Sequence, residues 1–289
     1  MFLIVGFVVV TAAVAGGFAM EGGQFGVLVQ PAEFIIIGGA ALGSLLISTP
    51  PSILKELVGQ TKGLFGPPPA SKEFVELLSM LFQLFKAAQQ GGVMALEPHF
   101  DNPQQSAILS KYPGFLAKHE AVDFLSDSVK VMIVGGISTH DLETLMDEDL
   151  EVRHHDKSRP SGVLGKVADA LPGLGIVAAV LGVVNTMGAI DGPPAEIGEK
   201  VGAALVGTFL GILMSYGFVQ PLSSHLELRM AEHAHYEQCI KAGLVALYKG
   251  LPPAIAIEFA RRVLPDELRP SFDETEQFCK ASNQQAAAA

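Results

Sequence analysis

Four long stretches of this sequence contain no Asp, Glu, Lys or Arg: residues 1–20, 34–54, 170–190 and 201–226. A bilayer core about 30 Å thick is crossed by roughly 20 apolar residues in a helix, and each stretch has that length. The mean hydropathy of the whole chain is +0.39, more apolar surface than an ordinary soluble domain can hide. The sequence therefore predicts an all-α integral membrane protein with four transmembrane helices.

The basic residues indicate which segments face the cytoplasm. All but one of the 19 Lys and Arg residues fall within residues 55–166 or 229–280, and the exception is Lys200. Because cytoplasmic segments of membrane proteins are enriched in Lys and Arg, both segments and both termini are expected inside the cell. Residues 1–20 lack the positively charged start of a signal peptide, so they are expected to remain as a span.

These assignments divide the chain into four parts. Residues 1–54 are expected to hold the first two spans and a short periplasmic loop, and residues 55–168 a helical cytoplasmic domain. Residues 169–222 are expected to hold the third and fourth spans and a second short loop. Residues 223–289 are expected to form a cytoplasmic helical tail that is disordered from residue 281 onward.

Inside the cytoplasmic parts, the apolar spacing predicts three helices. Residues 71–90 show one apolar face and stop at a Gly-Gly pair, a second helix covers residues 117–134, and a third begins with Thr139 as its N-cap. The third helix carries the acidic run of residues 147–151, which is interpreted as a solvated helix face. The fourth span is predicted to continue as a helix to residue 249.

Several functions are excluded by composition and motifs. The formal charge of −11 repels phosphates, so no nucleic acid partner is expected. The sequence has no nucleotide-binding, metalloprotease or hydrolase motif, so the chain is not expected to be an enzyme and no catalytic residue is assigned. His225, His233 and His235 are spaced wrongly for three ligands on one helical turn, so no metal and no other cofactor are expected.

Charged residues stand only at the margins of the four stretches, namely Glu33, Asp169 and Lys200. A proton or cation path through a bilayer normally needs an ionisable group at depth. The chain alone is therefore not expected to be a pump, and a self-contained channel or transporter is disfavoured.

Small residues at helical spacing mark the third and fourth stretches, and such stripes let helices approach closely. They pack either within the four-helix bundle, which the pattern alone favours, or against a partner helix. The residues that would pack on a partner helix are Gly175, Gly182, Gly207, Gly211 and Ser215.

Two prolines and a threonine stand out in the same stretches. Pro172 is predicted to open the third helix, where its missing N–H costs nothing, and Pro221 to close the membrane part of the fourth. Each is either a structural helix terminus or a hinge. The hydroxyl of Thr208, well inside the fourth stretch, either bonds back to its own helix or lines a water path.

Several longer motifs carry a family resemblance. They are GGQFGVLVQPAEFIIIGGAALGS, LMDEDLE, LPGLGIVAAVLGVV, VGTFLGILMSYGFVQPL and RPSF. In this order, and across about residues 1–280, the sequence resembles the MotA family of flagellar motor stators, including its sodium-driven PomA members and, distantly, ExbB and TolQ. The third and fourth stretches are more similar to the proton-driven branch.

The resemblance implies a bacterial inner-membrane protein without enzymatic activity that forms a ring, expected to be a pentamer, around two copies of MotB. MotB would supply a proton-accepting aspartate, and protons would be the coupling ion. By resemblance, Thr208, Ala179 and Tyr216 belong to the ion pathway, and Pro172 and Pro221 to torque generation.

The resemblance also implies contact with the rotor protein FliG through charged residues. Glu97 matches the acidic position of the family, but the basic position is occupied by Gln89. Lys86 lies one helical turn earlier on the same face, and the hypothesis is that it supplies the missing charge.

Three alternatives remain open on the sequence: a sodium-driven stator, an energiser of a periplasmic machine like ExbB or TolQ, and a passive membrane scaffold. ExbB and TolQ have three spans, so the count of four in this chain separates them from the stator hypothesis.

Overall fold

The computed structural model describes residues 2–66, 70–188 and 190–287, with side chains up to residue 280. Within these ranges the chain is helical and has no β-strand. It divides into two compact units. The membrane unit comprises residues 1–67 and 157–229, and the second unit comprises residues 68–156 and 230–289.

The described helices of four or more residues, short 3-10 turns aside, are these in chain order: α1 (Phe2–Met20), α2 (Phe25–Leu28), α3 (Pro31–Ser48), α4 (Pro51–Gly63), α5 (Ser71–Gly91), α6 (Glu97–Asp101), α7 (Pro113–Leu116), α8 (His119–Val134), α9 (Thr139–Met187), α10 (Pro194–Ile212), α11 (Gln220–Tyr248), α12 (Pro253–Arg262) and α13 (Phe272–Ala287). A π-helical segment, Leu213–Val219, joins α10 to α11.

Four helical segments are long and apolar enough to cross a membrane, as the sequence predicts. They are Phe2–Met20, Phe25–Ser48, Thr139–Met187 and Pro194–Tyr248. The first has no buried residue, which is unusual for a soluble helix of this hydropathy and is expected of one that faces lipid.

The membrane unit is held together by the packing of α3, α9 and α10. Ile37 and Ala41 of α3 are buried against Leu171 and Ala178 of α9 and against Leu210 of α10. Many valines and leucines of the same helices remain exposed. Because lipid tails are as apolar as these side chains, such exposure carries no cost in a bilayer.

The second unit is built around α5. Its predicted apolar face is confirmed, because these side chains are all buried: Phe74, Leu77, Leu78, Leu81, Phe82 and Phe85. They pack with residues of α8, α12 and the parts of α9 and α11 that belong to this unit. The helix ends where predicted, since Gly92 adopts a φ of 75° that favours glycine.

Three details differ from the sequence predictions. The N-cap of α9 is Ser138, whose Oγ accepts a hydrogen bond from the N–H of Asp141 at 3.1 Å. The predicted third helix and third span are one helix, α9, so Pro172 lies inside a helix and does not open one. Finally, α13 continues to Ala287 although disorder was expected from residue 281, because Ala and Gln are good helix formers.

The acidic run on α9 is only partly a solvated face. Asp147 is paired with Lys241 of α11, and Asp149 with Arg153 one turn later. Glu148 and Glu151 are exposed, as predicted for a solvated face. One residue of the run, Asp147, therefore links α9 to α11 within the second unit, whereas Asp149 pairs within α9 itself.

Candidate functional site

The helices α9 and α10 touch at backbone distance inside the membrane unit. A Cβ atom added to Gly175 would lie 2.9 Å from the carbonyl oxygen of Gly207 and 3.0 Å from the Cα of Gly211. One added to Gly182 would lie 2.7 Å from the Cβ of Ala204. Glycine is required at these positions because any side chain would push the two helices apart.

This contact uses the small residues for which a partner-helix role was also considered. Gly175, Gly182, Gly207 and Gly211 pack against their own chain, and Ser215 is fully buried within it. Within this chain the five residues pack in the bundle, as the pattern alone favours, and their packing on a partner helix stays a prediction. Sequence spacing identifies a close-packing face but does not identify the helix that occupies it.

A different face of α9 and α10 is open. It forms an apolar groove of about 240 Å³ with walls of β-branched and small side chains. Its lining residues are Ile176, Ala179, Val180, Val183, Val184, Val201, Ala204 and Leu205. Sequence reasoning missed all but Ala179, because valines in an apolar span look the same whether they face lipid, protein or a groove.

The three residues predicted for the ion pathway are spread over this pair of helices. Ala179 lines the groove, whereas Thr208 on α10 and Tyr216 in the π-helical segment are not among its lining residues. Thr208 is half-buried, and its hydroxyl makes no hydrogen bond to a residue that the structure describes. Tyr216 is 65% exposed.

The two prolines lie in different surroundings. Pro172 is half-buried inside α9, and it cannot donate to the carbonyl of Ala168 four residues earlier. The hydroxyl of Ser215 donates to that carbonyl instead, at 2.6 Å. Pro221 is exposed at the start of α11, directly after the π-helical segment. Segments of π-helix are often found at functional sites, and this one interrupts the fourth span.

Glu33 lies deeper than its place in the sequence predicts. Its side chain is 7% exposed, and a Cβ added to Gly207 would lie 2.5 Å from its Oε2. The signal for this position is the spacing of Glu33, Ile37 and Ala41, which are the buried residues of α3 and recur every four positions. A carboxylate on the buried face of a span is a functional candidate.

In the second unit, the residues predicted to contact the rotor are accessible. Glu97 is exposed at the start of α6, Gln89 is exposed near the end of α5, and Lys86 is half-buried one turn earlier. Close to Glu97, the Nδ1 of His99 lies 2.8 Å from the Oγ of Ser106, and burial lowers the pKa of His99. His99 is therefore neutral at pH 7 and does not offset the negative charge of Glu97.

Two family models match the chain. Residues 117–238 match the MotA/TolQ/ExbB proton channel family, and residues 4–92 match the N-terminal domain of motility protein A. The chain thus belongs to a class of ion-driven membrane proteins.

The chain is 39% identical to motility protein A of Escherichia coli (strain K12) over 282 residues, which cover 97% of this chain and 96% of the relative. Its fold is similar to that of a solved Campylobacter jejuni chain from "Structure of C. jejuni MotAB", with a TM-score of 0.74, 19% identity, and coverage of 93% and 98% of the two chains. A chain of the flagellar MotAB stator complex from Bacillus subtilis matches with a TM-score of 0.68, 20% identity, and coverage of 91% and 95%. The chain therefore belongs to the motility protein A family of flagellar stator subunits, multi-pass proteins of the inner membrane that are not enzymes.

Proposed function

We propose that this stator subunit conducts protons as a ring of five copies around two copies of MotB and transmits torque to the rotor protein FliG. The observation that carries the proposal is the open apolar groove between α9 and α10, which is the size and chemistry of a site for one face of a partner helix. The solved relatives are described as MotAB complexes, which supports MotB as the source of that helix.

The proposed coupling ion is the proton, with no bound cofactor. The exposed wall of the groove contains only apolar residues, so a titratable group on the partner helix would be the first charge in it. The resemblance supplies such a group, the membrane aspartate of MotB. Its protonation beside Thr208 removes a charge from an apolar surface and changes how closely the partner helix can pack.

Torque requires that movement in the membrane reach the rotor. A proton crossing the membrane releases roughly 2.3 kcal/mol per 100 mV, and that energy is available to shift α9 and α10. An irregularity lies along each of them: Pro172 inside α9, and, directly after α10, the π-helical segment that precedes Pro221. Bending at these points, where the regular hydrogen bonding is interrupted, is the proposed motion.

The second unit is the proposed rotor-binding part, and we place it in the cytoplasm with both termini. The distribution of Lys and Arg supports this orientation. Glu97 and Lys86 are the proposed charged contacts, with Lys86 replacing the basic residue that is absent at Gln89. Exposed charge pairs contribute about 0–1 kcal/mol each, so the contact would be salt-sensitive and quickly exchanged.

Proton uptake by cells tests the function directly. Cells would express the chain alone, or with MotB lacking any blocking periplasmic segment, and cytoplasmic pH would be recorded. Acidification only with MotB, and its loss when the membrane aspartate of MotB is neutralised, is the expected result. Acidification by the chain alone would indicate an independent channel.

The same cells separate the remaining alternatives. No acidification in either case, with both proteins inserted in the membrane, would leave a sodium-driven stator or a passive scaffold. Sodium uptake would then distinguish these two, because a scaffold carries no ion under any condition. An energiser like ExbB or TolQ is disfavoured by the four spans.

A further inference from the structure

Glu33 is an acidic side chain of the membrane unit with one carboxylate oxygen, Oε2, that is buried without a hydrogen-bond partner among the described residues. The residue is 7% exposed. Removing an ionised carboxylate from water without pairing it is far more costly than removing the neutral acid. The packing seen here therefore suits Glu33 with a proton bound.

The carboxyl group lies inside the spans. It touches Gly207, which is seven residues beyond Lys200, the last charged residue before the fourth charge-free stretch, about 10 Å along the helix. Gly207 also packs against Ala178, nine residues before the end of α9 at Met187, about 14 Å along that helix. In a bilayer core about 30 Å thick, both measures place Glu33 well below the outer surface.

No charged side chain on the packed helices compensates Glu33. The short helix α2 has no titratable residue, and the nearest along α10 is Lys200, seven residues from Gly207. The nearest along α9 is Asp169, nine residues from Ala178. Each lies about 10–14 Å away along its helix, too far for a hydrogen bond.

One local effect opposes the neutral form. Glu33 is in the first turn of α3, where unpaired backbone N–H groups favour a negative charge. Burial and the helix start therefore act in opposite directions on the same carboxyl group. The helix start offsets only a small part of the cost of burying the charge, so release of the proton requires the carboxylate to move toward water.

We propose that Glu33 is a second protonatable site of the ion-conducting complex, besides the carboxylate that MotB supplies. When its proton is bound, α3 packs on Gly207, directly next to Thr208. When the proton passes from the Glu33 oxygen to water or to the next acceptor in the path, the carboxylate left behind must move toward water, and the contact with Gly207 opens. This inference rests on the proposed proton conduction and adds to it a residue of this chain.

The test uses the full chain assembled with MotB in lipid vesicles and compares Glu33→Gln with wild type. Glutamine keeps the size of the side chain but cannot exchange a proton. Glu21→Gln is the matched control, because Glu21 is an exposed carboxylate in the loop before α2. We expect proton uptake to fall about tenfold or more in Glu33→Gln and to stay at the wild-type value in Glu21→Gln.

Infrared spectra of the same complexes report protonation of carboxyl groups directly. A purely structural role of Glu33 would not produce such a signal. Stepping the pH changes the carboxylic acid C=O bands of many groups, the MotB aspartate included. One component of this change, present in wild type and in Glu21→Gln, should be missing in Glu33→Gln. If Glu33→Gln fails to assemble, Glu33→Asp replaces it. The shorter acid should conduct with a shifted pH profile, and an unchanged profile would count against the proposal.

The outcomes distinguish a failure of the proposed function from a failure of the proposed role of Glu33. If wild-type complexes take up no protons, the proposed function is wrong whatever Glu33 does. If wild type conducts and Glu33→Gln conducts equally well, only the role of Glu33 is overturned. Reduced proton uptake in Glu33→Gln, together with loss of its infrared component, supports both the proposed proton conduction and the role of Glu33.

Discussion

The hydroxyl of Ser215 donates a 2.6 Å hydrogen bond to the backbone carbonyl of Ala168. In a regular helix that carbonyl would accept from the N–H of the residue four positions later, which here is Pro172. Inside a membrane no water is available to form a hydrogen bond with a free backbone group. Ser215, fully buried in the π-helical segment, therefore supplies the donor that Pro172 removes from α9.

This relationship predicts the effect of Ser215→Ala. Loss of the hydroxyl should destabilise the complex with MotB by about 0.6 kcal/mol and at most about 1.7 kcal/mol, the average and the maximum measured for hydrogen bonds between membrane helices. Thermal unfolding of the purified complex measures the change. Ser224→Ala is the matched control, because Ser224 is exposed in the following helix α11. The complex with Ser224→Ala should unfold at the wild-type temperature.

A double-mutant cycle tests whether the hydroxyl of Ser215 compensates for the N–H that Pro172 lacks. Pro172→Ala returns an N–H that can reach the carbonyl of Ala168, so Ser215→Ala should cost less in that background than in wild type. Equal costs in the two backgrounds would show that Ser215 does not compensate for Pro172. Full torque with normal ion flow in Pro172→Ala would contradict the proposed bending at this point.

The close contact of α9 and α10 predicts a steric effect at Gly211. A Cβ there would lie 2.7 Å from the carbonyl oxygen of Leu171 and 2.8 Å from the Cα of Gly175, so backbone must move. Gly211→Ala should lower the stability of the complex by about 1–3 kcal/mol, as overpacking usually does. In Gly198→Ala, on the same helix, the new Cβ meets open space. A melting temperature of Gly211→Ala equal to that of Gly198→Ala would contradict the contact.

Much of the fold can be predicted from the sequence because its signals are local. The apolar period of α5 and the glycines after it determine the helix and its end, and the charge-free stretches determine the four spans. Pro172 is different. The preference of proline for a helix start is also local, and it fails here because a donor 47 residues away, Ser215, relieves the cost of a proline inside α9.

The candidate site shows the same limit. Glu33 stands beside a polar loop in the sequence, which suggests a position at the membrane surface. Only the packing of Glu33 on Gly207 shows that its carboxyl group is buried. Likewise, the small residues of α9 and α10 can be recognised by spacing, but which of their faces stays open depends on where the two helices cross.

The proposed rotor contact predicts the effects of charge reversal in the second unit. Lys86→Glu should weaken binding to FliG about two- to fivefold, as expected for one exposed charge pair, and lower the torque of tethered cells. Lys72→Glu is the matched control, because Lys72 is exposed at the other end of the same helix. Equal FliG binding and equal torque in the two variants would show that Lys86 is not part of the rotor contact.

Glu97 provides an independent check of the same contact. Glu97→Lys should weaken FliG binding to a similar extent, because Glu97 is exposed and His99 beside it is neutral at pH 7. Binding of wild type should weaken as salt is raised, whereas the residual binding of a double variant that carries both Lys86→Glu and Glu97→Lys should depend less on salt. Binding that is equally salt-sensitive in wild type and in the double variant would argue against a charge-based contact.

The ion pairs of Glu258 predict a pH dependence for the second unit. The side-chain hydrogen bond from Arg261, with a further contribution from Arg262, lowers the pKa of Glu258 to about 2 from its ordinary 4.5. The side chain is 19% exposed, so this shift corresponds to about 3 kcal/mol of stability as an upper estimate. A lowered pKa in the folded state stabilises the unit above pH 4.5, and that contribution is lost as the pH falls toward 2. The melting temperature of the full chain should therefore be lower in Glu258→Gln than in wild type at pH 7, and the difference should narrow between pH 4.5 and 2. Glu267→Gln is the control, because Glu267 is exposed, and its melting temperature should equal that of wild type at every pH. A difference between Glu258→Gln and wild type that is the same at pH 7 and pH 3 would show that the ion pairs are not its cause.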